Sequence, residues 1–153
     1  MDLLVLDYPL DIDRALIEAE HARHRAVSYT DDRLKGYNMN EWQISKYNSP
    51  FVQKIMDDFK VDGKPRFYFQ EPYFKLPVHV DHKTTCSINF VLSDNAAPVQ
   101  FDNRLYHYKQ ALLNTSIPHS VHNGPEERIL LKISIFDVSF EELAERIKYK
   151  MPR

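Results

Sequence analysis

The sequence predicts a mainly β fold, a sandwich or barrel with a few helices packed on one face of a sheet. Three observations carry this. From Lys64 onward the chain is a series of short β-patterned segments broken by turns: RFYFQEPYFKLPVHV, TTCSINFVL, APVQFD, YKQALLNT, PHSVHN and ERILLKISIF. Nine tyrosines and nine phenylalanines against three glycines suit half-buried sheet surfaces. Helical patterning is confined to the two ends. The 153 residues therefore read as one domain: a mixed helix and strand support over 1–63, a β core over 64–137 and a closing helix over 138–153.

The elements follow in order. LLVLDY (3–8) reads as a short strand. Asp11 is placed to cap a helix over 13–24, where Ala15, Leu16, Ala19 and Ala22 recur at helical spacing. His21 and His24 near its end read as solvated residues well placed for the helix dipole. SYTDDRLKGYN is a polar loop. EWQISKY (41–47) alternates as a strand. Ser49 and Pro50 are the cap and first turn of a helix over PFVQKIMDDFKV. SFEELAERIKYK is a last amphipathic helix.

Two of the β segments share a pattern. Side chains alternate along a strand, so TTCSINFVL presents Cys86, Ile88, Phe90 and Leu92 on one face and Thr85, Ser87, Asn89 and Val91 on the other. ERILLKISIF presents Ile129, Leu131, Ile133 and Ile135 against Arg128, Leu130, Lys132 and Ser134. Each strand has one apolar and one mixed face. The mixed face either meets water, as in a plain sandwich, or lines a polar cavity, as in a barrel.

Charge and composition exclude several function classes. Twenty basic residues against 22 acidic ones leave a net charge of −2. There is no general pull toward nucleic acid or an anionic membrane, and neither is expected as a partner. The three glycines, Gly36, Gly63 and Gly124, are too far apart for a phosphate-binding loop. The one cysteine, Cys86, allows no internal disulfide and suits a reducing, cytoplasmic location. No stretch reads as a signal peptide or a membrane span.

LPVHVDHKTT (76–85) is the candidate site. His79 and Asp81 are two apart, so on extended backbone both point to one side and can chelate one cation. His-x-Asp alone carries little weight. A third ligand is offered by PHSVHNGPEERIL (118–130), where the Asn123-Gly124-Pro125 turn predicts a hairpin. If His119 pairs with Leu130, His119 and Arg128 become diagonal neighbours on one face. His122 has the opposite parity and is the alternative ligand. Two histidines and a carboxylate on one side of a metal leave positions open, the arrangement favoured by non-heme Fe(II) oxygenases. An arginine on the same face suits a bidentate grip on a carboxylate.

His79-Val80-Asp81, then His119, then Arg128 nine residues later resembles the 2-oxoglutarate/Fe(II)-dependent dioxygenase superfamily, as do HSVHNGPEERILL and CSINFVLSDNAAPVQF. The likeness spans roughly residues 65–137 and is to small bacterial or phage-type members, with features of prolyl and aspartyl hydroxylases. It implies a double-stranded β-helix, a jelly-roll or cupin-like barrel, with the N-terminal helices on one sheet. It implies that His79, Asp81 and His119 hold Fe(II) and act in catalysis. It implies that Arg128 binds the distal carboxylate of the cosubstrate 2-oxoglutarate. O2 would then be consumed and a C–H of a peptide or small-molecule substrate hydroxylated, with release of succinate and CO2. Because Asp81 is present, hydroxylation is expected rather than halogenation.

A second cosubstrate contact is expected among Tyr68, Tyr73, Ser87 and Asn89. Asn89 comes first because it shares the mixed face, although an interior amide satisfied by a neighbouring strand fits the pattern equally. His82 has the wrong parity for a ligand, His107 reads as a strand-surface residue, and Cys86 as packing. Two other functions fit the fold class. One is a cupin-like metal-binding protein or isomerase, which gives Arg128 no role. The other is a non-catalytic β-sandwich interaction module, for which the triad is coincidence.

Overall fold

Alternation along the central strands sorts the interior into two cores. The computed structural model describes residues 1–29, 41–81, 83–94 and 97–150. Its elements run β1 (Leu3–Val5), α1 (Ile12–Arg23), β2 (Val27–Ser28), β3 (Trp42–Lys46), α2 (Pro50–Phe59), β4 (Gly63–Gln70), β5 (Lys75–His79), β6 (Cys86–Val91), β7 (Val99–Phe101), β8 (Arg104–Tyr106), β9 (Gln110–Leu113), β10 (His119–His122), β11 (Arg128–Ile135) and α3 (Phe140–Lys150). They form an antiparallel sheet in the order β1-β9-β6-β11-β4-β3-β2 and a second in the order β5-β10-β7-β8. The two sheets face each other as a jelly roll.

The apolar face of the large sheet takes the helices. Cys86, Ile88 and Phe90 of β6, Leu131, Ile133 and Ile135 of β11, and Phe67 and Phe69 of β4 form one cluster with all three helices. Ala15, Ala19 and Ala22 let α1 lie close, and Val52, Ile55, Met56 and Phe59 fill the space from α2. Gly63 is required at its position because a Cβ there would meet Ile133 Cγ2 at 2.5 Å. The Cys86 thiol lies in this layer, and burial pushes it up to about 11, which suits packing and not nucleophilic chemistry. The mixed face looks inward. It joins Leu76, Val99, Phe101 and Val121 of the small sheet in a second cluster that borders a cavity of about 550 Å³. The two readings of the mixed face are thus resolved in favour of the barrel.

The caps form as the sequence predicts. Asp11 accepts from Arg14 N at 3.0 Å and Ser49 from Val52 N at 3.2 Å. Helical periodicity gave no sign of Glu18, which is buried between α1 and β3 and accepts from Tyr47 Oη at 2.6 Å and Ser49 Oγ at 2.8 Å. The loop expected over 28–38 falls mostly outside the described residues, with Val27–Ser28 pairing as a short strand on β3.

One expectation is corrected. β10 and β11 do not form a hairpin, and His119 does not pair with Leu130. β10 pairs with β5 and β7, whereas β11 pairs with β4 and β6. The Asn123-Gly124 turn instead carries the chain from one sheet to the other. Asn123 pins it, its side-chain amide donating to Glu71 O at 2.8 Å and Glu126 O at 3.0 Å. A turn signal reports a reversal of direction, not membership of one sheet.

Candidate metal and anion site

His79 ends β5 and His119 begins β10, and the two are directly paired across these antiparallel strands. Their ring centroids are 4.5 Å apart. Asp81 lies beyond the strand, held by its backbone N–H donating to Thr115 O at 3.1 Å. A Thr84–Thr115 hydroxyl bond of 2.8 Å ties the same two loops together. The three side chains converge: Asp81 Oδ1 is 3.2 Å from His79 Nε2 and 3.2 Å from His119 Nε2.

Each imidazole is oriented by the same device. His79 Nδ1 donates to Pro77 O at 2.7 Å, and His119 Nδ1 to Ile117 O at 2.8 Å. A carbonyl can only accept, so in the neutral ring the proton sits on Nδ1 and the Nε2 lone pair is free for a metal. Two bare nitrogens and a carboxylate oxygen facing one point are three acceptors, which together call for a cation. Two donors each about 2.1 Å from an ion and at right angles to each other would be about 3 Å apart, close to the spacing seen. The donor set therefore fits a divalent metal, which His79, Asp81 and His119 would hold at the wall of the cavity.

Lys132, which sequence reasoning passed over, completes the charge balance. Its Nζ contacts Asp81 Oδ2 at 2.5 Å, leaving Oδ1 to the histidines. Burial alone would raise the Asp81 carboxyl, but the Lys132 ammonium outweighs it and holds the carboxyl well below the usual carboxylate range. Burial likewise works against the Lys132 ammonium, and Asp81 outweighs it, so that pKa is raised. The signal for Lys132 was present in the sequence: it shares the parity of Arg128 on a mixed face.

Arg128 is 3 % exposed and lines the same cavity from the opposite sheet. It therefore faces the triad across the barrel and is not a diagonal neighbour of His119. Its guanidinium donates to Gln70 Oε1 at 3.0 Å and Tyr108 Oη at 3.2 Å, while Nε has no partner. No carboxylate among the described residues lies within ion-pair distance. A buried guanidinium with a neutral cradle and one orphaned N–H is a seat for an anion.

The other predicted residues divide. Asn89 lines the cavity and donates to Tyr108 Oη at 3.2 Å while accepting from Ser87 Oγ at 2.8 Å. Tyr108, also missed, accepts from both Arg128 and Asn89 and keeps its own O–H proton to donate. It sits in the loop before β9, where no periodicity marks it. Tyr68 lines the cavity with its ring 5.6 Å from Lys132 Nζ. Tyr73 does not: it is 69 % exposed in the turn between β4 and β5, at a positive φ. His122 is exposed and does not line the cavity, which leaves His119 in the cluster. His107 is exposed, in a loop and not on a strand. His82 lies outside the described residues.

No family model matches the sequence, and no curated protein sequence matches it. Solved structures do share the fold. A prolyl hydroxylase from Trichoplax adhaerens, in complex with a hypoxia inducible factor oxygen degradation domain peptide fragment, superposes with TM-score 0.66 at 12% identity, covering 94% of this chain and 85% of that one. A Pseudomonas putida prolyl-4-hydroxylase gives 0.63 at 13%, covering 88% and 92%. A viral collagen prolyl hydroxylase from Paramecium Bursaria Chlorella virus-1, in a 2OG complex, gives 0.59 at 12%, covering 91% and 97%. The double-stranded β-helix architecture is thereby shown. Among the described residues no helix is long and apolar enough to cross a membrane.

Proposed function

We propose that this chain is an Fe(II)- and 2-oxoglutarate-dependent dioxygenase that hydroxylates a C–H bond of a peptidyl residue or small molecule, in the cytoplasm, with release of succinate and CO2. One observation carries the reading: three convergent metal-ligating acceptors and a buried arginine with no counter-anion among the described residues share one cavity. His79, Asp81 and His119 are the metal ligands. Arg128 takes the distal carboxylate of 2-oxoglutarate, with Tyr108 Oη as a second donor. Asn89 acts through Tyr108, orienting its hydroxyl, and Tyr68 walls the cavity beside Lys132. Iron and 2-oxoglutarate, once bound, supply O2 activation.

The chain's own groups prepare the site. The Pro77 and Ile117 carbonyls set the histidine tautomers, and Lys132 directs one Asp81 oxygen away from the metal position. Arg128 and the triad lie on opposite sheets, so a dicarboxylate can span from the guanidinium to the ion. A cupin-like metal protein or isomerase without 2-oxoglutarate chemistry would give the buried Arg128 guanidinium no anion to pair with among the described residues.

The test is direct. Protein purified without oxygen and given Fe(II) and 2-oxoglutarate should show the weak visible charge-transfer band of an iron chelate. Air should then yield succinate in a metal-dependent manner. Absence of both the band and succinate would sink the proposal.

A further inference from the structure

Away from Arg128 the cavity wall is lopsided in charge. Lys46, Lys64, Arg66 and Lys83 all line it, and Asp81 is the one carboxylate in its described wall. Three cations stand in register. Lys132 is paired with Arg66 across β11 and β4, and Arg66 with Lys46 across β4 and β3. Lys64 lies two residues along β4, on the same face. Directly paired positions are about 5 Å apart, so the row extends roughly 10 Å sideways from the Lys132–Asp81 pair.

Like charges placed opposite one another on a sheet are destabilising. Lys132 is matched by Asp81. Among the described residues no carboxylate lies within ion-pair distance of Lys46, Lys64, Arg66 or Lys83, and Lys64 lies 4.9 Å from the Phe136 ring centroid. Trp42, on the same face of β3 but four residues before Lys46 and in register with Gln70 and Arg128, lines the cavity with a buried indole N–H that finds no acceptor among the described residues. The row is distinct from the Arg128 seat, because four residues, about 13 Å of strand, separate Arg128 from Lys132.

We propose that the substrate carries an anionic group, a carboxylate or a phosphate, seated by Arg66, Lys46 and Lys64 on the flank of the metal centre away from Arg128. This rests on the dioxygenase reading of the site. The cosubstrate occupies one cationic seat and the substrate's anion the other, so the C–H bond to be oxidised lies within roughly 10 Å of that anion.

Trp42 is the chain's one tryptophan and reports cavity occupancy by its fluorescence. Metal-free protein is titrated with glycerol phosphate and with an acidic hexapeptide, each beside its neutral counterpart, glycerol or a neutral hexapeptide. The anionic probes should change the emission and the neutral ones should not. Apparent affinity should fall at least tenfold in the Lys46→Glu/Arg66→Glu double variant, fall a fewfold in Arg66→Met, and be kept in Arg128→Ala. Melting curves check that the variants fold. Binding by glycerol phosphate marks a small-molecule anion, and binding by the acidic peptide alone marks a peptidyl one.

Equal binding of neutral probes, no response to either anion, or loss in Arg128→Ala alone would overturn the proposal. The iron–2-oxoglutarate band, measured separately, tests the underlying reading. Its absence beside intact anion binding at the row would refute the dioxygenase and leave the anion seat standing.

Discussion

Lys132→Met separates the charge balance of the triad from its geometry. Without metal, Asp81 is a carboxylate whose side chain is 10 % exposed, and Lys132 Nζ at 2.5 Å is the lysine that neutralises it. Methionine keeps the stem and removes the charge. Stranding one member of a buried ion pair costs on the order of 3–5 kcal/mol. The lysine side chain is still 15 % exposed, so the low end, ~3 kcal/mol, is expected. For a chain of this length that is a loss of roughly 6–12 °C in Tm.

A divalent ion on the triad replaces the missing charge. In saturating Mn(II) the deficit should shrink to less than about half, because the variant gains more from the ion than wild type does. The pH dependence follows from the two shifts. Asp81 is depressed when folded, so its contribution is present above about pH 4 and lost as pH falls below it. Lys132 is raised, so its contribution is present up to about pH 10 and lost as pH rises further. The metal-free gap should be widest on the alkaline side of neutral, close above about pH 10, and close on the acid side starting above about pH 4, because burial without Lys132 raises the Asp81 carboxyl of the variant. Thermal melts by circular dichroism, with chelator and with Mn(II), read all three. A gap of equal size with and without metal would refute the assignment of Lys132 as counter-ion to a metal ligand.

Three further outcomes are expected. Arg128→Ala should weaken 2-oxoglutarate binding about ten- to a hundredfold, from the loss of charge-assisted hydrogen bonds, and leave metal binding largely intact. Titration of the chelate band and of Mn(II) separately would show it, and equal loss of both would mean the roles are misassigned. Tyr108→Phe removes the acceptor shared by Arg128 and Asn89 and the hydroxyl proposed as second donor to 2-oxoglutarate, so 2-oxoglutarate affinity should drop roughly fivefold in the same titration. Gly63→Ala forces a methyl to within 2.5 Å of Ile133 Cγ2 and should cost about 1–3 kcal/mol in urea unfolding without altering metal affinity.

Much of the architecture was legible because it rests on local chemistry. The Asp11 and Ser49 caps, the start of α2 and the two-faced pattern of β6 and β11 depend on residues within a few positions of one another. The triad and Arg128 were legible as a spaced set, and the structure brings all four to one cavity. The route by which His119 and Arg128 come to share that cavity was not. A hairpin was expected, and the two residues instead face each other from opposite sheets, because strand pairing is settled by long-range packing. Tyr73 was a fair candidate by type and position, yet a turn after Gln70 sends it to solvent.

By itself the sequence determined which faces are apolar, where helices begin, and which four residues make a chemically coherent set. Alternation, capping and residue type need no knowledge of what lies across the barrel. Tertiary structure decided what the mixed face meets, which strand neighbours β10, and which charges share a wall. Lys46, Lys64, Arg66 and Lys132 are dispersed along the chain, and nothing in the sequence places them together. Pairing of β3, β4 and β11 sets them in adjacent positions across one sheet, because interstrand neighbours are chosen by register and not by distance along the chain.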